Sequence, residues 1–419
     1  MYRHLHRLSV VTASLLIGLS CPLPVVGNSW GSGAVLAQAQ TREERAEEAV
    51  PLLQVGVQQL NRGQFQEALE IFETVLVIFR EIGERQLEGI TLSGIGRAYD
   101  SLGQYPQALE SHQQALSIAQ EIGDKAMKGI TLNNIGLVYR NQRQYPQALE
   151  FYQQSLAISR EIDDRAGEGT TLSNIGAVYI DLGQYPQALE YFQQALAIAK
   201  AIGHKAGEGM RLNNIGAVYQ SLGQYRQALK NYQQALAIAK AIGDKATESA
   251  RFNNIGTVYS SLGQHRVALM YYQQALATRQ EIGDQVGIGQ TLSNIGGVYH
   301  NLEEYPRALE SYQQALAIAK AIGDKVGEGT RLNNIGGVYY NLGEYPQALE
   351  SYQQALAIAK VIGNKEIEGT MLSNIGQLYN TQGQYSKAET NLFAAIEALE
   401  SLRSRELKDN QKISIFEQQ

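Results

Sequence analysis

The chain repeats itself every 40 residues without slippage. Thr171-Leu-Ser-Asn-Ile-Gly-Ala-Val-Tyr179 returns as Arg331-Leu-Asn-Asn-Ile-Gly-Gly-Val-Tyr339, and Tyr185-Pro-Gln-Ala-Leu-Glu190 returns as Tyr345-Pro-Gln-Ala-Leu-Glu350. A fixed period of this length marks a stacked array, because a single unit is too small to bury its own apolar face and neighbours must cover it. Units begin near residues 49, 89, 129, 169, 209, 249, 289, 329 and 369.

Each unit reads as two amphipathic helices. Leu172, Ile175, Gly176 and Tyr179 fall on one face of a 3.6-residue period. Gly183 then stops the first helix, since glycine adopts positive φ without a steric penalty. The second helix opens on Pro186, whose missing N–H costs nothing in a first turn. It carries Ala188, Leu189, Phe192, Ala195, Leu196 and Ala199 on one stripe, and Gly203 closes it. Elsewhere an acid follows the closing glycine (Asp244, Asp284, Asp324), placed to cap the next helix. Gly176 and Ala188 recur in every unit, which predicts a close approach of the paired helices there. The recurring tyrosines keep helical spacing, so core packing is the expected role for most of the 24. Tyr340, directly after Tyr339, is expected to be exposed.

These residues resemble the tetratricopeptide repeat: Leu172, Ile175-Gly176, Tyr179, Ala188, Phe192 and Ala195 match its pattern. Leu, or Phe252, stands for the usual opening Trp, and Lys200 or similar for the closing Pro, with six residues added per unit. That longer form is similar to the repeats of spindle-orientation adaptors of the Pins type and of kinesin light chains. The resemblance implies an all-α, right-handed α-solenoid (a superhelix) of about nine antiparallel helix-turn-helix units, spanning 49–400. Residues 40–48 read as a helical lead-in, with Thr41-Arg-Glu-Glu44 as a capping box. Pro51 predicts a kink or a later helix start. Residues 401–419 read as a capping helix or truncated linker, with a short separate helix over 406–416.

In such solenoids the first helices line the concave side. The sixth position of a unit is Asn134, Asn174, Asn214, Asn254, Asn294, Asn334 and Asn374, with Gly94 as the break after the first unit. A carboxamide both donates and accepts, so the row can satisfy the backbone of an extended peptide. The resemblance implies contact with bound peptide at this position. The alternative is that each Asn bridges adjacent helices. Three residues on, Ala177, Ala217, Thr257, Gly297 and Gly337 leave room, and Arg211, Arg251 and Arg331 are placed to attract acidic ligand groups.

The N-terminus points to export. Arg3, His4, His6 and Arg7 precede an uncharged apolar run over 8–19, too short to span a bilayer comfortably and suited to a secretory signal. Ala37-Gln38-Ala39 offers a cleavage site, so residues 1–39 are expected to be removed, and the mature chain to be periplasmic or extracellular. Cleavage takes two arginines and no acid, moving the formal charge from −6 to −8. A retained anchor and lipidation at Cys21, the single cysteine, are the alternatives.

Nothing in the array reads as catalytic. His112, His204, His265 and His300 occupy different places in their units and share no metal-ligand spacing. Gly167-Glu-Gly169 and its counterparts follow no strand and precede no Lys-Ser/Thr, so close helix contact explains them better than phosphate binding. Glu110, Glu150 and Glu190 lie on faces expected to be solvated. The acidic balance argues against nucleic acid as a partner. The expectation is therefore a non-enzymatic scaffold without cofactor or metal, whose partner is a protein or peptide, with self-association into an array as a second class. The layout also resembles exported cyanobacterial repeat proteins that carry a caspase-like CHAT protease domain after the array. Ile396–Arg403 and Lys412–Phe416 resemble the junction before that domain, which implies a third class, the regulatory or substrate-recruiting arm of a separate protease.

Overall fold

The computed structural model describes residues 42–416. The expected export signal over 1–39, with Cys21, and Thr41 of the capping box lie outside the described residues. Eighteen helices are described, with no strand among the described residues. The odd helices open the units: α1 (Arg42–Asn61), α3 (Arg85–Ser101), α5 (Lys125–Asn141), α7 (Arg165–Asp181), α9 (Lys205–Ser221), α11 (Lys245–Ser261), α13 (Gln285–Asn301), α15 (Lys325–Asn341) and α17 (Lys365–Thr381). The even helices close them: α2 (Phe65–Ile82), α4 (Tyr105–Glu121), α6 (Tyr145–Glu161), α8 (Tyr185–Ala201), α10 (Tyr225–Ile242), α12 (His265–Glu281), α14 (Tyr305–Ala321), α16 (Tyr345–Val361) and α18 (Tyr385–Phe416). Backbone contacts divide the chain into two compact units, one ending at Asn174 and the other starting at Ile175. Each is an α-solenoid of stacked helical hairpins.

The same turn chemistry recurs throughout. After Tyr179 the chain closes a Schellman motif, with Gly183 at φ +69° donating to the Ile180 carbonyl and Gln184 donating to that of Tyr179. At the other corner Asp244, Asp284 and Asp324 each accept from a backbone N–H three residues on, at 2.8–2.9 Å. This satisfies a donor that the helix cannot satisfy itself.

The paired helices touch where glycine meets an aromatic ring. In the second compact unit, a Cβ on Gly336 would lie 2.6 Å from Tyr352 Cε1, and one on Gly176 would lie 3.0 Å from Phe192. Phe192 is fully buried, and Tyr232, Tyr272, Tyr312 and Tyr352 are at most 5% exposed, so these aromatics are core. Val178, Val218, Val258, Val298 and Val338 complete the odd-helix stripe at no more than 1% exposure, beside Ile215, Ile295 and Ile335. Within the first unit, Phe72 and Phe79 anchor a core with Leu53, Val75 and Ile95. There the ring slot above Gly96 is taken by His112, which is 1% exposed.

Three expectations need correction. First, α1 starts at Arg42 and includes Pro51, so the helix does not begin after the proline. That residue is exposed, so water can serve the carbonyl that loses its partner. Second, no separate helix forms over 406–416, because α18 continues as one 32-residue helix to Phe416. Arg403 stands where Gly363 ends the preceding even helix, so no residue there readily takes positive φ. Third, Tyr340 is half-buried, and its hydroxyl pairs with that of Thr381 at 2.8 Å.

Two outcomes test this packing. Gly336→Ala must push the Tyr352 ring or part the helices, and is expected to cost about 1–3 kcal/mol in urea unfolding. His112 is held neutral, its pKa lowered to about 4 by burial and then by the Arg97 charge. The unfolded chain takes up a proton near pH 6.5 while the folded chain resists to about pH 4. Stability is therefore full above pH 6.5 and falls between those values, the loss reaching about 3 kcal/mol at the lower end. His112→Phe, which copies the ring at Phe192, is expected to flatten that part of the stability–pH curve.

Candidate functional site

The seven asparagines of the sixth position are all half-buried on odd helices. Four of them are tied from helix to helix. Asn174 donates through Nδ2 to Oδ1 of Asn133 at 2.9 Å, Asn254 to Asn213 at 2.8 Å, Asn294 to Asn253 at 2.9 Å and Asn374 to Asn333 at 2.7 Å. The acceptor is always the fifth-position residue one unit earlier. The bridging alternative holds for these four: the carboxamide bridges helices with one N–H, and its Oδ1 and second N–H are not used in that bridge.

The bridge needs Asn at position five, and the sequence varies there. Ser93, Ser173 and Ser293 stand 41 residues before Asn134, Asn214 and Asn334, so at these three places a hydroxyl replaces the accepting carboxamide. Ser293 Oγ is buried without a hydrogen-bond partner.

The three arginines expected to attract acidic groups are buried side chains. Arg211, Arg251 and Arg331 are 7–9% exposed. They occupy the place of Thr131, Thr171 and Thr291, which are at most 2% exposed. A longer side chain at that place can only run back along its own helix. Arg211 Nη1 comes 3.5 Å from the Gly207 carbonyl, and a Cβ on Gly327 would lie 2.6 Å from Arg331 Nη1. The first glycine of these Gly-Glu-Gly segments thus makes room for a guanidinium. The second receives an isoleucine of the paired helix, as Gly209 receives Ile238, so close contact is indeed the role of these glycines. Burial pulls the pKa of Arg211, Arg251 and Arg331 below the ordinary arginine value.

The glutamate at this place in the first turn was not foreseen as buried. Glu328 and Glu368 are 9% and 8% exposed, and each meets a lysine three residues earlier, Lys325 at 2.8 Å and Lys365 at 2.6 Å. The clue in the sequence is that each such Glu follows Lys or Arg by three residues, the spacing of neighbours on a helix.

A pocket of about 440 Å³ opens across α11, α13 and α15. It brings together three of the predicted residues, Asn294, Asn334 and Arg331, with the small Gly297 and Thr257. Sequence reasoning missed Ser293 and Tyr312. Tyr312 comes from α14 and passes under α13 until its hydroxyl reaches the place that Gly297 leaves open, 3.5 Å from where a Cβ would stand. Burial pushes its pKa up to about 12, so the phenol stays protonated at neutral pH. Ser, Thr, Asn, Gln and Tyr groups dominate the wall, with Arg331 as its one cation and no carboxylate. Such a wall can orient a polar or anionic ligand through hydrogen bonds. Among the described residues no cluster of His, Cys, Asp or Glu is placed to hold a metal ion, and no helix is long and apolar enough to cross a membrane.

The tetratricopeptide-repeat model matches residues 47–121, 128–201, 210–281, 287–360 and 330–401. No curated protein sequence matches the chain. Among solved structures, the apo form of the quorum sensor NprR from B. thuringiensis is similar at 16% identity and TM-score 0.57, over 84% of this chain and 99% of that one. A Rap protein complexed with competence and sporulation factor is similar at 16% identity and TM-score 0.55, over 85% and 99%. A signal-transduction ATPase with a tetratricopeptide-repeat sensor from Pyrococcus horikoshii is similar at 15% identity and TM-score 0.59, over 90% of this chain and 55% of that one. At these identities the likeness is one of fold.

The two kinds of rung are expected to respond differently to truncation. Asn374→Ala strips the bond to Asn333 and should cost about 1 kcal/mol in thermal or urea unfolding. Asn334→Ala breaks no such bridge and should leave stability within about 0.5 kcal/mol of the parent.

Proposed function

The chain belongs to the tetratricopeptide-repeat family, and from that premise we propose that it is an exported scaffold holding an extended peptide segment of a partner protein along its odd-helix face. The observation that carries the reading is the asparagine row. It repeats at fixed spacing along the odd helices, its members are half-buried, and in the four that are bridged part of the carboxamide is left over from the bridge. An extended peptide presents N–H and C=O groups of matching polarity. The polar pocket across α11, α13 and α15 lies on the same row.

Each neutral hydrogen bond contributes about 1 kcal/mol net, so useful affinity needs several rungs together. A groove built on stacked helices is preorganised, which keeps the ordering cost with the ligand. The fold's likeness to the Rap protein solved with competence and sporulation factor is consistent with this reading. The sequence of the array carries no recognisable motif that places a nucleophile beside a base, and we read it as non-enzymatic.

Export rests on the basic start, the apolar run over 8–19 and the small-residue site at Ala37 and Ala39. N-terminal sequencing of the chain recovered from its native host should begin at Gln40, and an intact Met1 would overturn the export reading.

The groove is tested by selecting peptides from a displayed random library on residues 40–419, then titrating them against the parent and the triple variant Asn254, Asn294, Asn334→Ala. Loss of three hydrogen bonds predicts about 100-fold weaker binding with the far-ultraviolet circular dichroism of the parent. Equal affinity in the two proteins would remove the site from this row.

A further inference from the structure

The last even helix departs from the others on a face that they bury. Leu392, Phe393, Ile396 and Leu399 of α18 are 41–61% exposed. Earlier even helices hold a leucine in the place of Ile396, and Leu116 and Leu236 are buried there with Leu132 and Phe252 of the odd helix that follows. Leu392 and Leu399 rest one side on α17, over Gly376 and Gly369. Phe393 breaks the repeat outright, because every even helix from α4 to α16 carries an exposed Gln in its place. Those glutamines stay in solvent although another hairpin follows, so a further hairpin would leave Phe393 uncovered too. Its cover must lie farther round the helix.

α18 is also too long for its hairpin, at 32 residues against 17 in α17. Much of its C-terminal half therefore has no paired helix within the hairpin. One stripe of α18 follows the 3.5-residue alternation of a paired helix: Tyr385, Glu389, Leu392, Ile396, Leu399 and Arg403. Its flanks carry opposite charge, Glu389 seven residues before Ile396 and Arg403 seven after it. Glu389 is itself a departure, since all eight preceding even helices have Leu in its place.

We propose that α18 is a homodimer interface, in which two copies pair their last helices antiparallel about a twofold axis at Ile396. In that register Glu389 of each copy meets the partner's Arg403, and Phe393 meets the partner's Leu399. A parallel pair would instead set like charges together at both places. Twofold pairing uses one patch on both copies and closes, leaving no free end for a third. Stable interfaces bury roughly 800 Å² per partner. Four half-exposed apolar side chains from each copy supply less, so the dimer should be reversible, with a dissociation constant on the order of micromolar. Head-to-tail stacking of arrays is opposed by charge. Within the array an even helix ends on a cation that meets an acid of the next odd helix, as Arg80 meets Glu88 at 3.0 Å and Arg160 meets Glu168 at 2.9 Å. The same two places are Glu400 in α18 and Glu48 in α1, so one copy set on the end of another would bring two carboxylates together.

Sedimentation velocity of the full-length chain over a concentration series tests the pairing, beside Phe393→Gln, Ile396→Glu, Glu389→Arg and Arg403→Glu. Helical circular dichroism at the parent's level qualifies each variant. The parent is expected to pass from one copy to two with rising concentration and to form nothing larger. Phe393→Gln, which restores the repeat's own residue, should weaken the dimer about tenfold, and Ile396→Glu about 100-fold. Glu389→Arg and Arg403→Glu should each weaken it about tenfold by setting like charges together at both flanks. An equal mixture of these two restores both opposite pairs and should dimerise as the parent does. A parent that stays monomeric throughout, or a dimer that none of the variants weakens, would sink the proposal. Species that keep growing beyond two copies would replace it with head-to-tail stacking. Loss of the dimer in Ile396→Glu with both charge variants unaffected would rule out the antiparallel register.

Discussion

Everything in this molecule depends on how closely two helices of one hairpin can approach. The approach is set by a glycine on the first helix and an aromatic ring on the second. With no Cβ at Gly336, the Tyr352 ring lies flat against the helix backbone, where a side chain would fall 2.6 Å from it. The ring then fills the space between helices, and small neighbours such as Ala348 and Ala355 close around it at 0% exposure. Interiors pack at crystal-like density, so one such contact determines the distance for the whole hairpin. Because the pair recurs every 40 residues, so does the geometry.

The candidate site is a by-product of that core. Tyr312 is long enough that its ring satisfies the packing while its hydroxyl emerges on the far side of α13, at Gly297. Where the ring is Phe192 the hairpin is equally well packed but brings no hydroxyl forward. The asparagine row has a similar double character. In four members one N–H of the carboxamide stitches successive helices, and the Oδ1 and second N–H are not used in that bond. A scaffold that must be rigid and adhesive on the same face gains from a side chain with both donor and acceptor.

Charge is handled by the same economy of position. Arg211 and Arg331 lie along their own helices over Gly207 and Gly327 of the first turn. The glutamates of that turn are buried too, and lysine or arginine three residues earlier snorkels over them from the solvent side. These pairs are tertiary adjustments within one helical turn. They leave Arg331 as the cation bordering the polar pocket.

Period, helix type, turn residues, caps and the core stripe were legible in the sequence, because each follows from backbone sterics or from which face a residue occupies. Gly183 at positive φ and Asp244 as a cap are local chemistry that no distant contact can alter. Residues also legible in principle but overlooked, such as Val178 and Val338, lie on the same periodic face. What the sequence could not decide was the partner of each polar group. Asn254 and Asn334 occupy identical places in near-identical units, yet one is bonded to the preceding helix and the other is not. The difference lies 41 residues away, in whether position five is Asn213 or Ser293. Likewise, an arginine at the place of Thr171 reads as surface charge until the neighbouring helix is in position to cover it. Sequence alone settles what a residue can do from its own backbone. Whether a carboxamide bridges two helices or remains for a ligand is settled only when the next helix arrives at hydrogen-bonding distance.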